Sequence, residues 1–154
     1  MDIIFHHRVR LDHSPPPWDA HPDWFITLCC SIRGTNQLCL PETSKALLDS
    51  ACFYHRKGIW CAELFLLMPD HLHALVSISD RRPLDKTIRD WKRWTARHLK
   101  IQGQTGFFEH RLRSYESADQ KYKYILNNPV RAGLVSRPED WPHSFVGNSY
   151  DRYV

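Results

Sequence analysis

The sequence lacks the long apolar segment that a membrane-spanning helix needs. Its longest apolar run, residues 59–68, is interrupted by Glu63 and is far shorter than the roughly 20 residues that cross a bilayer. The amino terminus has no apolar core of the kind found in secretory signal peptides. We therefore expect a protein that neither enters nor crosses a membrane and that resides in the cytoplasm.

Paired cysteines are also missing. The five cysteines are odd in number, at positions 29, 30, 39, 52 and 61, and none forms a C-x-x-C pair. This pattern indicates neither a disulfide framework nor a zinc site made of cysteines. Reduced thiols, as in a cytoplasm, fit it best.

Neither sign of charge dominates the chain, since the formal net charge is +4 at pH 7. Such a balance permits a polyanionic partner without requiring one. The positive charge is nevertheless concentrated. Residues 81–100 hold eight Lys or Arg and only two Asp, a local excess of six that exceeds the net charge of the whole chain.

The 154 residues are the length of one domain, which we divide into an extended, proline-containing arm (1–20), a core (21–145) and a tail (146–154). Apolar and turn patterns predict strands at 24–32, 59–68, 71–79 and 106–113. They predict helices at 43–57, at about 84–101, and from Ser117 to near Asn128, where Pro129 follows. The order β-α-β-β-α-β with one further helix is the ferredoxin-like split βαβ arrangement of the α+β class. That architecture hosts many activities, so function must come from individual positions.

Two histidines alternate along the third predicted strand. Alternation places His71 and His73 opposite Leu72 and Ala74, so we expect the apolar face to pack on helices and the histidine face to be open. Imidazoles at this spacing can converge on one cation. Two exposed strand histidines without a ligand are the simpler alternative.

The last predicted helix carries two tyrosines on different sides. At 100° per residue, Tyr122 joins the apolar side, whereas Tyr124 points nearly the other way with Lys121 and Asn128. This face presents a phenol, a cation and an amide. An ordinary solvated helix face explains the pattern equally simply.

The second predicted helix has a basic stripe opposite its apolar side, which includes Trp91. We consider this stripe a candidate DNA contact, with Trp94 at its border as a residue that can stack on a base. A solvated outer face is the alternative, and the stripe points away from the histidines if the helices cover the other face of the sheet. The DNA-contact candidates are Lys86, Arg89, Arg93, Arg97 and Trp94.

Two long motifs resemble the REP-associated tyrosine transposases, relatives of the single-tyrosine insertion-sequence transposases of the HUH class. The first is Met-Pro-Asp-His-Leu-His-Ala-Leu-Val at 68–76, and the second is Tyr-Ile-Leu-Asn-Asn-Pro-Val-Arg-Ala-Gly-Leu-Val at 124–135. Residues 106–113 also resemble the fourth strand of that family. The resemblance covers about residues 24–145, although we assign no role to Glu109 or His110 within it.

This resemblance implies a specific site and reaction. His71 and His73 would bind a divalent ion, Mg²⁺ or Mn²⁺, Asn128 would complete the metal site, and Tyr124 would be the nucleophile. The enzyme would cut and rejoin single-stranded DNA by transesterification through a 5′-phosphotyrosine, beside hairpins formed by palindromic elements. Lys121 would offset phosphate charge.

The resemblance also implies where the protein works and with what. It would act in a bacterial cytoplasm, associated with the nucleoid when bound to single-stranded or hairpin DNA, as a monomer or homodimer. The arm at residues 6–11 departs from the Arg/Gly/Tyr-rich start of many family members, which leaves recognition of a REP-type sequence undecided.

Two other functions remain compatible with the sequence. One is a non-catalytic module that binds single-stranded nucleic acid on a ferredoxin-like sheet. The other is a metal-dependent phosphohydrolase in which water replaces the tyrosine as nucleophile. Only the transposase hypothesis predicts a covalent protein–DNA adduct.

Overall fold

The computed structural model describes residues 23–78, 82–113 and 118–147. The predicted arm, most of the predicted tail and Ser117 lie outside these ranges. The strands are β1 (Asp23–Cys29), β2 (Cys61–Leu67), β3 (His71–Ser77), β4 (Phe108–Arg111) and β5 (Ser144–Phe145). The helices are α1 (Pro41–Arg56), α2 (Leu84–Leu99), α3 (Ala118–Leu126) and α4 (Asn128–Arg131), with a 3-10 turn at Pro138–Asp140.

The strands form one antiparallel sheet in the order β4-β1-β3-β2-β5. The first four strands with α1 and α2 confirm the predicted α+β class and the ferredoxin-like β-α-β-β-α-β order. The predicted final helix is present as α3. Within the described residues no helix has both the length and the apolar character to span a membrane.

One face of the sheet packs against α1 and α2, as predicted. The side chains of β3 that point this way, Leu72, Ala74 and Val76, are buried together with Leu47 of α1 and Trp91 of α2. Burial of these side chains removes apolar surface from water and fixes the register of β3. The two histidines are thereby directed to the opposite face.

The prediction that the histidine face is open was wrong. A second cluster of buried apolar residues covers this face, and α3 packs across β2 and β3 through Ile125, which is fully buried. His73 is consequently only 4% exposed. The cause is α3 itself, whose apolar side needs a partner and finds it on the sheet.

Element ends differ from the prediction where local conformation intervenes. Helix α2 ends at Leu99 because Lys100 adopts left-handed backbone angles, with φ at 58°. Helix α3 ends at Leu126, and after a turn at Asn127 the chain forms the short helix α4. Pro129 is tolerated in α4 because it occupies the first turn, where its missing N–H is not needed.

A short strand at the carboxy-terminal side was not predicted. Strand β5 adds to β2, and the indole of Trp141 donates a hydrogen bond to the carbonyl of Leu67 at 2.8 Å. The hydroxyl of Ser44 in α1 lies 2.6 Å from Nδ1 of His143. These contacts bind the segment after α4 to both β2 and α1, which anchors the chain on either side of α3 and α4.

Candidate nucleophile and metal site

His71 lies at the start of β3 and is oriented by the preceding turn. Its Nδ1 is 2.8 Å from a carboxylate oxygen of Asp70. Asp70 also accepts a hydrogen bond from the Gly34 amide at 2.8 Å and an ion pair from Arg33 at 3.0 Å. With the Nδ1 proton donated to the carboxylate, Nε2 of His71 keeps a lone pair for a ligand.

His73 is held from the neighbouring strand. In the register of β1 and β3 it faces Thr27, whose hydroxyl lies 2.8 Å from Nδ1. The ring also stacks on Phe25, with 5.4 Å between centroids and 19° between planes. When Nδ1 donates to the hydroxyl oxygen, Nε2 is the nitrogen left to bind a cation. The two imidazoles are 5.0 Å apart between ring centroids.

Both histidines are neutral at physiological pH. Burial lowers the pKa of His71 despite the hydrogen bond to Asp70. Burial, followed by electrostatic effects of the neighbouring His71 and of the cations Arg131, Arg33 and Lys121, lowers the pKa of His73 to about 3. Neutral imidazole is the form that ligates metals.

Phe25 contacts both the ring of Tyr124 and the ring of His73. The Tyr124 and Phe25 rings meet edge to face at 6.4 Å, while Phe25 stacks on His73. The amine of Lys121 lies 5.5 Å from the centre of the Tyr124 ring and 4.9 Å from that of Phe25. Helix α3 therefore brings the predicted nucleophile and its predicted cation to the face of the sheet that carries the histidines.

The two tyrosines are less different than the helix wheel predicted. Both Tyr122 and Tyr124 are half-buried and pack against the second apolar cluster. Tyr124 is distinguished by its neighbours, since Phe25 and Lys121 contact its ring.

Asn128 was predicted to follow Tyr124 on one continuous helix, but it begins α4 after the turn at Asn127. Its side chain makes no hydrogen bond to any residue in the described ranges. Across residues 23–78, 82–113 and 118–147, no three His, Cys, Asp or Glu side chains group to hold a metal ion. Within those ranges the histidine pair thus has no third side chain of these four types beside it, and an amide oxygen such as that of Asn128 is a chemically suitable further ligand.

Sequence reasoning missed Arg131. The guanidinium lies 4.1 Å from the centre of the Tyr124 ring and donates a hydrogen bond to the Tyr124 carbonyl at 2.8 Å. A spacing of seven residues, two helical turns, was the available signal. Pro129 obscured it by indicating that the helix ends. Thr27, Phe25 and Arg33 were also missed, because their proximity depends on strand register and loop path.

The basic stripe lies on the outer side of α2, across the sheet from the histidines. Within α2, Lys86 and Arg89 form ion pairs with Asp90 and Asp85 at 2.6 and 3.0 Å. Arg93 pairs more loosely with Asp90 at 3.7 Å, and Arg97 is exposed. The ring of Trp94, 37% exposed, stacks on that of His98 with 4.9 Å between centroids.

A cavity of about 620 Å³ opens on this helical face, between α2 and residues 101–107. Neither histidine of the pair nor Tyr124 lines it. The cavity is therefore separate from the candidate metal and nucleophile site.

Comparison with known proteins agrees with the motifs. No protein-family model matches the chain. A REP-associated tyrosine transposase of Escherichia coli (strain K12) is 26% identical over 126 residues, which are 79% of this chain and 74% of the relative. A Haemophilus influenzae protein bearing the same family name is 26% identical over 95 residues, 51% of this chain and 54% of that protein.

A solved structure extends the comparison to the fold. It is a REP-associated tyrosine transposase bound to a REP hairpin, with a TM-score of 0.66 and 24% identity, covering 80% of this chain and 75% of that one. The protein thus resembles the REP-associated tyrosine transposases, in sequence over most of its length and in the fold of its sheet and helices.

Proposed function

We propose that this protein is a single-strand DNA transposase that cuts and rejoins DNA through a covalent bond between Tyr124 and a phosphate. The observation that carries the proposal is the meeting of Tyr124, Lys121 and the His71–His73 pair on one face of the sheet. A phenol, a cation and two neutral imidazoles in one place are the groups that a tyrosine-mediated phosphoryl transfer needs.

The reaction is a transesterification. The Tyr124 oxygen attacks the scissile phosphorus, the bond between phosphorus and the 3′-oxygen breaks, and a 5′-phosphotyrosine and a 3′-hydroxyl result. The phenol loses one proton and the leaving oxygen gains one, so the reaction needs neither water nor an energy source. A second 3′-hydroxyl reverses the step and joins new ends, because the phosphotyrosine retains the energy of the phosphodiester.

His71, His73 and Asn128 fit a divalent cation such as Mg²⁺ or Mn²⁺. Asp70 and Thr27 engage the Nδ1 atoms, and the Asn128 amide has no competing hydrogen bond within the described residues. The bound ion would supply Lewis acidity at the phosphate. The chain's own contribution is to keep the imidazoles neutral and oriented and to hold Tyr124 beside them.

For the substrate we propose single-stranded DNA next to a hairpin. The related solved transposase is bound to a REP hairpin, and this chain shares its fold. The protein would act on such DNA in a bacterial cytoplasm.

The proposal predicts a covalent adduct that depends on Tyr124. The probe is a DNA hairpin with a single-stranded flank, selected from a randomised pool by its binding to the Tyr124→Phe protein. Its 3′ end is labelled, so that the label stays on the fragment whose 5′-phosphate becomes joined to tyrosine. With Mn²⁺, the unaltered protein and Tyr122→Phe should carry label through denaturing electrophoresis, whereas Tyr124→Phe should not. Tyr122 is the matched control because it lies on the same helix and is also half-buried.

The alternatives predict other outcomes. A purely nucleic-acid-binding module would bind the hairpin without cutting it, and a phosphohydrolase would cut it without retaining label. An adduct that persists in Tyr124→Phe would move the nucleophile to another residue.

A further inference from the structure

Arg131 contacts both the ring and the backbone of the predicted nucleophile Tyr124. Its guanidinium lies 4.1 Å from the centre of the Tyr124 ring and is bound to the Tyr124 carbonyl. One side chain thus touches both the phenol ring and the main chain of Tyr124.

The fold holds Arg131 in this place. The amide of Arg131 donates to the carbonyl of Asn127 at 2.9 Å, so helical geometry resumes immediately after the turn. The guanidinium then folds back and satisfies a carbonyl in the last turn of α3, which serves as a carboxy-terminal cap. This backbone contact and the contact with the ring leave the remaining guanidinium N–H groups to bind a ligand.

Arg131 and Lys121 both flank the Tyr124 ring, and neither has a carboxylate partner in the described parts of the chain. Lys86 and Arg89 of the α2 stripe differ, since each pairs with an aspartate of the same helix. Two cations that contact one phenol ring and have no acidic partner within the described residues form a binding site for an anion. Because Arg131 is exposed, that anion can arrive from solution.

We propose that Arg131, together with Lys121, binds the non-bridging oxygens of one DNA phosphate and holds that phosphate at the Tyr124 hydroxyl. This inference rests on the proposed function and adds to it a substrate-binding residue. A guanidinium suits the role because its planar array of donors matches the oxygens of a phosphate. Contact with the ring also lets the same residue orient the nucleophile.

A thermodynamic cycle between the protein and a single phosphate tests this inference. The Tyr124→Phe protein, which cannot react, is combined with Arg131→Ala, Arg131→Lys or Arg56→Ala. Each variant is titrated without metal with the selected hairpin, in which one flank phosphate at a time is replaced by an uncharged methylphosphonate. Arg56 is the matched control, since it is an exposed arginine on the distant helix α1.

Arg131→Ala should weaken binding of the natural DNA by about tenfold or more. When the phosphate at one particular position of the flank is replaced by methylphosphonate, the same substitution should weaken binding by less than about threefold. Arg131→Lys should retain part of the coupling. Arg56→Ala should show equal effects on both DNAs at every position. Arg131→Ala effects that are equal on both DNAs throughout the flank would overturn the inference.

The two proposals fail in different ways. If binding couples Arg131 to one phosphate but the unaltered protein forms no adduct, the phosphate-binding role of Arg131 stands and the transesterification is excluded. If the unaltered protein forms an adduct but no phosphate couples to Arg131, the transesterification stands and the role of Arg131 is excluded.

Discussion

The two histidines are held by unlike partners, a carboxylate for His71 and a buried hydroxyl for His73. A carboxylate partner raises the basicity of an imidazole ligand and fixes its tautomer. The hydroxyl of Thr27 fixes orientation without adding charge. His71 is thereby suited to be the stronger ligand and His73 the more rigidly positioned one.

Removal of either imidazole should abolish most Mn²⁺ binding. We expect His71→Ala and His73→Ala each to do so in calorimetric titration, whereas His98→Ala, at an exposed position on α2, should bind normally. Asp70→Asn should weaken binding by about tenfold, since partners of metal ligands commonly contribute that much. Undiminished affinity in the double histidine variant would exclude this metal site.

His73→Ala should also destabilise the fold, unlike His71→Ala. The His73 ring is buried, and its loss leaves a cavity and the Thr27 hydroxyl without its partner. We expect a decrease of about 1–3 kcal/mol in the free energy of unfolding, measured with urea. Equal stability of the two variants would contradict the burial of His73.

The lowered pKa of His73 predicts acid sensitivity of the metal-free protein. In the unfolded chain the His73 imidazole takes up a proton near pH 6.5, whereas in the folded protein it does so only near pH 3. The contribution of this group to the free energy of unfolding is therefore fully present above about pH 6.5 and is lost as the pH falls towards 3. Lowering the pH from about 7.5 to 5.5 should decrease the free energy of unfolding by roughly 1 kcal/mol through this group. The substitution His73→Gln should flatten the dependence by that amount in urea titrations, and an unchanged dependence would contradict the assignment.

The local parts of the site were predictable from sequence, and the long-range parts were not. The faces of β3 and the pairing of Lys121 with Tyr124 follow from strand and helix periodicity. The bond between Thr27 and His73 joins residues 46 positions apart and depends on a register that a single sequence does not display. Pro129 correctly predicted the end of α3, yet it obscured the second helix that carries Arg131.

Among the secondary-structure elements, α2 and α3 lie on opposite faces of one sheet, and their basic side chains differ in whether they form ion pairs. Those of α2 are largely paired with aspartates of the same helix, whereas Lys121 of α3 has no acidic partner within the described residues. Exposed ion pairs of this kind contribute little stability and exchange readily for phosphate.

The salt dependence of DNA binding tests the stripe on α2. Replacing all four basic residues of the stripe with Ala should reduce the slope of log affinity against log salt by about three units if each of them contacts a phosphate. The four residues are Lys86, Arg89, Arg93 and Arg97. Cleavage at saturating DNA should change little, because none of the four approaches Tyr124. An unchanged slope would make the stripe an ordinary solvated face and confine the DNA to the histidine face.

At the scale of the whole sheet, one face carries the main apolar core and the other face carries the proposed site. Helices α1 and α2 close one face with a large apolar core, while the other face combines a smaller apolar cluster with the histidines, Tyr124 and the cations beside it. The carboxy-terminal segment, attached to β2 by β5 and Trp141, secures the chain that follows α4. A support of this kind would keep the proposed nucleophile on α3 aligned with the proposed ligands on β3.

The central claim is that Tyr124 carries the DNA, and the most direct measurement is the mass of one peptide. Trypsin cuts after Lys121, Lys123 and Arg131, so it releases Tyr124 in a peptide of residues 124–131 that contains no other tyrosine. The adduct, formed on the selected hairpin and trimmed with nuclease, should add the mass of a nucleotide phosphate to this peptide and to no other. Finding that mass on the dipeptide containing Tyr122, or on any other peptide, would contradict the account.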